Sequence, residues 1–203
     1  MPVPVVIDIH HNDPVNSFAA VKAAGIVAVI HKASEGMHFR DNMYAHRRPV
    51  FLDYGLKWGA YHFFHGEGKA EADFFLSVAE PDENTVVALD WETTPGGYTP
   101  NAARARDFLE RIEEKLGRKA VIYSGNVAKE QIHGKDAYFG SHRLWLAQYS
   151  PHWKVQQSWE KPWLWQYGSE ATHDRCPGIG GYCDVNTLVE GTVENLLAEW
   201  TEA

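Results

Sequence analysis

Short apolar runs alternate along this chain with longer stretches in which apolar residues recur every third or fourth position. Val3 to Ile9 reads as a first strand, and Asn16 to Gly25 as a helix ended by glycine. Ile26 to His31 is a second strand, and Asp41 to Gly55 a helix interrupted near Pro49. Lys57 to Phe64 reads as a strand, Lys69 to Ala79 as a helix and Thr85 to Trp91 as a strand. Thr99-Pro100 looks like a cap followed by a first-turn proline, opening a helix to Leu116 that Gly117 ends. Its apolar stripe is Phe108, Leu109, Ile112 and Leu116. Ala120 to Tyr123 is a fifth strand.

The pattern then changes. Arg143 to Tyr149 and Pro162 to Tyr167 read as strands, but the segment between them is short and holds Pro151 and several aromatics. No crossover helix fits there. A strand near Tyr182 to Val185 leads into a last helix, Val189 to Trp200. Repeated strand–helix units favour a parallel sheet closed as a barrel. The expected fold class is therefore α/β: an irregular (β/α) barrel of about eight strands with helices mainly in the first five units. No linker or internal repeat divides the chain, so residues 1–203 are expected to form one catalytic domain.

In Val86-Val87-Ala88-Leu89-Asp90-Trp91-Glu92, two carboxylic acids close an apolar run. Alternate strand side chains share a face, so Asp90 and Glu92 point the same way, with Cα atoms roughly 6–7 Å apart. At that spacing they perturb each other's ionisation and can flank one scissile bond. The other strand ends carry related chemistry: Asp8, Lys32 with Glu35, Tyr61, Tyr123, Trp145, Trp165 with Gln166, and Asp184 with Asn186. Acids, amides and aromatics at nearly every strand end describe a cleft for a polyhydroxylated ligand.

Composition narrows the partners. The net charge of −8 leaves no basic patch for nucleic acid or an anionic membrane. No window approaches a membrane span. The N-terminus lacks a basic region ahead of its first strand, so no signal peptide is expected. A phage-encoded protein, a non-classically exported one or a mature form would fit. Cys176 and Cys183 flank a glycine-rich loop, and the spacing leaves both a disulfide and two free thiols open.

Taken in order, the motifs resemble glycoside hydrolase family 25, the Chalaropsis-type lysozymes or N-acetylmuramidases. The resemblance rests on Asp8, Lys32-Ala33-Ser34-Glu35-Gly36, Gly59-Ala60-Tyr61-His62-Phe63 and Asp90-Trp91-Glu92. It continues through Ile122-Tyr123-Ser124, Leu144-Trp145-Leu146-Ala147-Gln148-Tyr149, Trp163-Leu164-Trp165-Gln166-Tyr167 and Asp184-Val185-Asn186. It implies cleavage of the β-1,4 bond between N-acetylmuramic acid and N-acetylglucosamine in peptidoglycan glycan strands. It also implies Glu92 as general acid/base, Asp90 assisting the substrate's 2-acetamido group or stabilising positive charge, and Asp8 and Asp184 completing the acidic cluster. One departure is Ile9-His10-His11-Asn12-Asp13, whose histidine pair replaces the usual residues after the first Asp.

On this reading Glu92 is held protonated by apolar surroundings and the charge of Asp90, while Asp90 stays ionised and the reaction retains configuration. Lys32, Tyr61, Tyr123, Trp145, Trp165 and Gln166 are the candidate substrate-binding residues. A monomer without metal or cofactor is expected. Two rival readings remain. One is a metal-dependent hydrolase using Asp8, His10, His31, His62 and His65. The other is a non-catalytic glycan-binding module, against which the four acids together argue.

Overall fold

Inward and outward side chains alternate on the strands and build two separate apolar layers. The computed structural model describes residues 3–201; Met1 and Pro2, which open the stretch expected to hold no signal peptide, and residues 202–203 lie outside them. The strands are β1 (Val6–Ile9), β2 (Ala28–Glu35), β3 (Phe39–Arg40), β4 (Lys57–Phe63), β5 (Thr85–Asp90), β6 (Val121–Ser124), β7 (Leu144–Ala147), β8 (Leu164–Gly168) and β9 (Asp184–Leu188). They are ordered β1-β9-β8-β7-β6-β5-β4-β2-β3, and a further β1–β2 pairing closes eight of them into a barrel with β3 outside the ring. The helices are α1 (Phe18–Ala23), α2 (Tyr44–Asp53), α3 (Lys69–Ala79), α4 (Ala102–Leu116), α5 (Asn126–Gln131), α6 (Ala137–Gly140) and α7 (Val193–Ala198).

The expected α/β barrel is present, with one correction to its parallel sheet. β9 runs antiparallel to both neighbours, β1 and β8. The connection from β8 to β9 carries only a 3-10 turn at Glu170–Thr172. With no crossover helix to carry it to the far end, the chain turns back at the same rim. The last strand accordingly covers Asp184–Leu188 rather than ending near Val185.

Boundaries differ elsewhere for local reasons. Helix α2 runs unbroken through Pro49, with Arg47 and Phe51 buried on either side of it. Helix α4 is capped by Asn101, whose side chain accepts from the Arg104 amide, two residues beyond the expected cap at Thr99. Short helices α5 and α6 fill the stretch after β6, where no helix was expected. Helix α7 is shorter than its expected span at both ends.

The outer layer, between barrel and helices, includes Trp58, Phe64, Phe75, Trp91, Phe108 and Ile112. The inner layer fills the barrel with Val6, Ile30, Val86, Ala88, Val121, Tyr123, Trp145 and Leu164, and adds Leu196 and Trp200. Trp200 closes the end opposite the acids: its indole N–H donates to the Trp58 carbonyl at 2.9 Å and its ring packs 5.7 Å from Trp163. Replacing Trp200 by Ala is expected to cost about 3–5 kcal/mol of unfolding free energy in urea titrations. A loss below about 1 kcal/mol would show that the barrel end does not rely on this plug.

Candidate active site

Strand alternation sends Asp8, Tyr61, Phe63, Asp90, Tyr123 and Trp145 to the barrel interior, and these residues line a cavity of about 180 Å³ with Glu92 and Asp184. A trough of about 840 Å³ shares Glu92, Tyr123 and Asp184 with it and runs out past His10, Asp13, Tyr149, Glu170 and Tyr182. The site is thus a polar pit opening into a longer cleft.

Trp91 explains why both flanking acids face inward. It is fully buried in the outer layer, its N–H donates to the Pro100 carbonyl at 2.8 Å, and its ring stacks 5.6 Å from Phe139. Its backbone is held too, with the amide donating to the Tyr123 carbonyl and its own carbonyl accepting from Ser124. With Trp91 fixed outward, Asp90 and Glu92 on either side turn to the pit. β5 ends at Asp90, so Glu92 sits in the loop that follows.

Asp184 reaches the rim because β9 is reversed: it opens its strand where the parallel strands close theirs. The β1–β9 register sets Asp8 directly opposite Asp184. Like charges placed so would repel. The two instead titrate as a pair, the first to ionise disfavouring ionisation of the second. Burial pushes Asp8 up to about 6, against the opposing pull of hydrogen bonds from Asn186 and Gln166. Burial and the neighbouring Asp8 carboxylate push Asp184 up to about 8.

Asp90 is pushed well above the usual carboxylate range, first by burial and then by the charge of Glu92. Its Oδ1 is buried and has no hydrogen-bond partner among the described residues. This runs against the expectation that Asp90 simply stays ionised. Glu92 is raised by burial, with a further contribution from Asp184, in the direction a general acid requires.

The proposed substrate-binding residues divide. Tyr61, Tyr123 and Trp145 line the pit. Trp145 is almost wholly buried, packs edge-on 4.5 Å from Tyr123, and donates to Asn186 Oδ1 at 2.6 Å. Gln166 is fully buried and holds Asp8. Lys32 lies outside the pit lining, its ammonium paired with Glu35 and set 5.0 Å from the Phe63 ring centroid. Trp165 faces the outer side of β8, opposite Leu146 in register, and donates to the Gln148 carbonyl at 2.7 Å. Sequence reasoning passed over Phe63, Asn186 and Tyr149. The same two-residue alternation links Phe63 to Tyr61 and Asn186 to Asp184, so that signal was available.

The histidines of the metal reading are engaged elsewhere. His31 is fully buried and bonds the Lys32 carbonyl at 2.7 Å and the Arg47 guanidinium at 3.1 Å; burial pushes it down to about 4. His62 is buried against Ser34 and Glu71. Arg47 also donates to the carbonyls of His10 and Asp13, so it fixes the loop that follows Asp8. His11 contacts Asp41. Cys176 and Cys183 are free and buried, and their thiols donate to the carbonyls of Pro177 and Asp184, each at 3.6 Å.

A barrel with this acid-lined pit matches known proteins. A model of the glycosyl hydrolases family 25 matches residues 7–175. The chain belongs to that family. Lysozyme M1 of Streptomyces globisporus is 29% identical over an alignment spanning 95% of this chain and 69% of that protein. The chain spans 60% of the length of the uncharacterised Escherichia coli protein YegX, at 27% identity over 82% of its own length. Among solved structures, the bacterial lysozyme from Streptomyces coelicolor superposes with a TM-score of 0.85 at 25% identity, covering 96% of this chain and 95% of that one. A muramidase from Acremonium alcalophilum gives 0.82 at 27% identity, covering 97% and 98%.

Raised folded-state values make the native state bind more protons than the unfolded chain, whose aspartates titrate near 3.9. Stability therefore falls as pH rises from about 4 through about 6 for Asp8 and about 8 for Asp184. Asp184→Asn is expected to raise unfolding free energy at pH 8 by about 1–3 kcal/mol and to leave a smaller gain at pH 5. Denaturant titrations at the two pH values check this; an equal effect at both would show that Asp184 carries no pH-linked cost.

Proposed function

We propose that this chain hydrolyses peptidoglycan, cutting the β-1,4 bond between N-acetylmuramic acid and N-acetylglucosamine. The observation that carries the reading is the pit, where four carboxyl groups converge beside aromatic and phenolic side chains. Family membership and the lysozyme and muramidase relatives support it. The chain, residues 1–203, would act on the bacterial wall as one catalytic domain. A glycan strand would lie along the trough with its scissile bond over the pit.

Glu92 acts as the general acid. Burial keeps it protonated above the ordinary glutamate range, so it can deliver a proton to the leaving oxygen. Asp90 presents a buried oxygen lacking a partner. A substrate acetamido N–H would satisfy it and favour the carboxylate. The oriented acetamido oxygen then attacks the anomeric carbon from within the substrate, and water later opens the ring with Glu92 as base, giving retention. Tyr61 and Phe63 would contact the sugar ring in the pit. Lys32, paired with Glu35 outside the pit, is poorly placed to meet a sugar bound there.

Digestion of purified peptidoglycan, with mass spectrometry of reduced fragments, tests this. Fragments should end in reduced N-acetylmuramic acid. Glu92→Gln should lower turnover roughly 10²–10⁴-fold while leaving glycan binding intact. Activity should fall as pH rises through the raised Glu92 value. Near-parental rates in that variant would overturn the role of Glu92, and fragments ending in reduced N-acetylglucosamine would make the protein a glucosaminidase.

A further inference from the structure

The Asp8–Asp184 pair is surrounded by amide groups whose orientation is not free. Gln166 Nε2 donates to Asp8 Oδ1 at 3.0 Å and Oδ2 at 2.9 Å, and Asn186 Nδ2 donates to Oδ1 at 2.8 Å. An amide can flip by half a turn at little steric cost, so what matters is what meets its oxygen. Gln166 Oε1 accepts from Tyr123 OH at 2.8 Å and from Tyr149 OH at 2.6 Å. Asn186 Oδ1 accepts from the Trp145 indole N–H at 2.6 Å. An indole N–H can only donate, so it forces the Asn186 nitrogen away from itself. The two phenols, kept protonated by burial and nearby acids, donate to Gln166 Oε1, and a flip would set that oxygen against the Asp8 carboxylate. The amide nitrogens must face Asp8.

We propose that Gln166 and Asn186, locked by Tyr123, Tyr149 and Trp145, are positioning residues that make Asp8 the anionic member of its pair with Asp184 and keep the proton on Asp184. The proposal rests on the hydrolase reading for its meaning, since it concerns the charge beside Glu92. A neutral Asp184 can turn its O–H toward Asp8 while keeping the proton, which leaves its other carboxyl oxygen as an acceptor toward the cleft. Asp184 also faces Glu92 across the shared rim, so its later ionisation adds a negative charge beside the general acid and raises it further. The residues acting on Gln166 are unequal: Tyr123 is buried, whereas Tyr149 is 45% exposed on the trough wall. Tyr149 is thus an accessible handle on a buried network.

Carboxyl-carbon NMR titration of the folded protein tests the proposal without requiring turnover. In the parent, Asp8 should ionise before Asp184. Gln166→Met, which keeps shape but removes the donors, should move the first ionisation of the pair up by about one pH unit. Tyr149→Phe, a substitution at a half-exposed site that should preserve folding, should shift it the same way by less. On peptidoglycan, Tyr149→Phe should lower kcat roughly threefold, move the alkaline limb of the pH profile and leave KM unchanged, as expected for positioning. Parental titrations of Asp8 and Asp184 in both variants, or Asp184 ionising first in the parent, would overturn the proposal. A raised KM with an unmoved pH profile would do so too, by making Tyr149 a substrate contact. Failure of the parent to digest any wall would overturn the hydrolase reading alone, because the titration result would stand.

Discussion

The pairing of the reversed strand β9 with β1 is the constraint on which the rest of the molecule depends. It closes the barrel, since no other strand lies between β8 and β1. It brings Asp184 to the rim that Asp8 occupies and sets the two face to face. It also delivers Asn186, two residues on, to the inner side, where its amide meets Asp8. Closure and acid clustering follow from one set of backbone hydrogen bonds. The barrel cannot be shut in this register without bringing two carboxyl groups together, and the amide donors on Asp8 help make that arrangement tolerable.

A second constraint is the opposition between the two apolar layers. Buried side chains on the outer face of a strand fix which residues point inward. Trp91 does this for Asp90 and Glu92, and Leu146 does it for Trp145. The outer layer therefore aims the site without touching it. Four carboxyl groups crowded into a barrel end lower stability, most of all when ionised, and give the pit its perturbed acids.

The helix-poor half of the barrel has a corresponding use. Without crossover helices, the segments after β7 and β8 become the walls of the trough, through Tyr149, Glu170 and Tyr182. The loop between Cys176 and Cys183 is seated by backbone bonds rather than by its own packing. Gly178 accepts from the amides of Asn16 and Ser17, and Gly180 donates to the Pro14 carbonyl at 2.7 Å. Gly178 has φ +93°, and a Cβ there would lie 2.3 Å from the Ser17 carbonyl oxygen, so only glycine fits against α1.

Periodicity alone placed the strands of the first five units and the helices between them, because each unit buries a regular face and is read locally. It also put Asp90 and Glu92 on one face, since alternation is a property of the strand itself. The family resemblance gathered Asp8 and Asp184 with them. Strand direction was beyond its reach, because the reversal of β9 depends on where β8 leaves the chain and on hydrogen bonds to a strand about 180 residues earlier. The fate of the polar and aromatic candidates was equally hidden. Lys32 found Glu35, Trp165 turned outward, and Gln166 became a support for Asp8 rather than a ligand for sugar. The sequence by itself determined which residues could alternate, cap and carry acid chemistry, since those are properties of neighbours along the chain. Only the tertiary structure decided which acids face each other and which amides face them, because ionisation and hydrogen bonding are set by burial and by partners that the fold brings together.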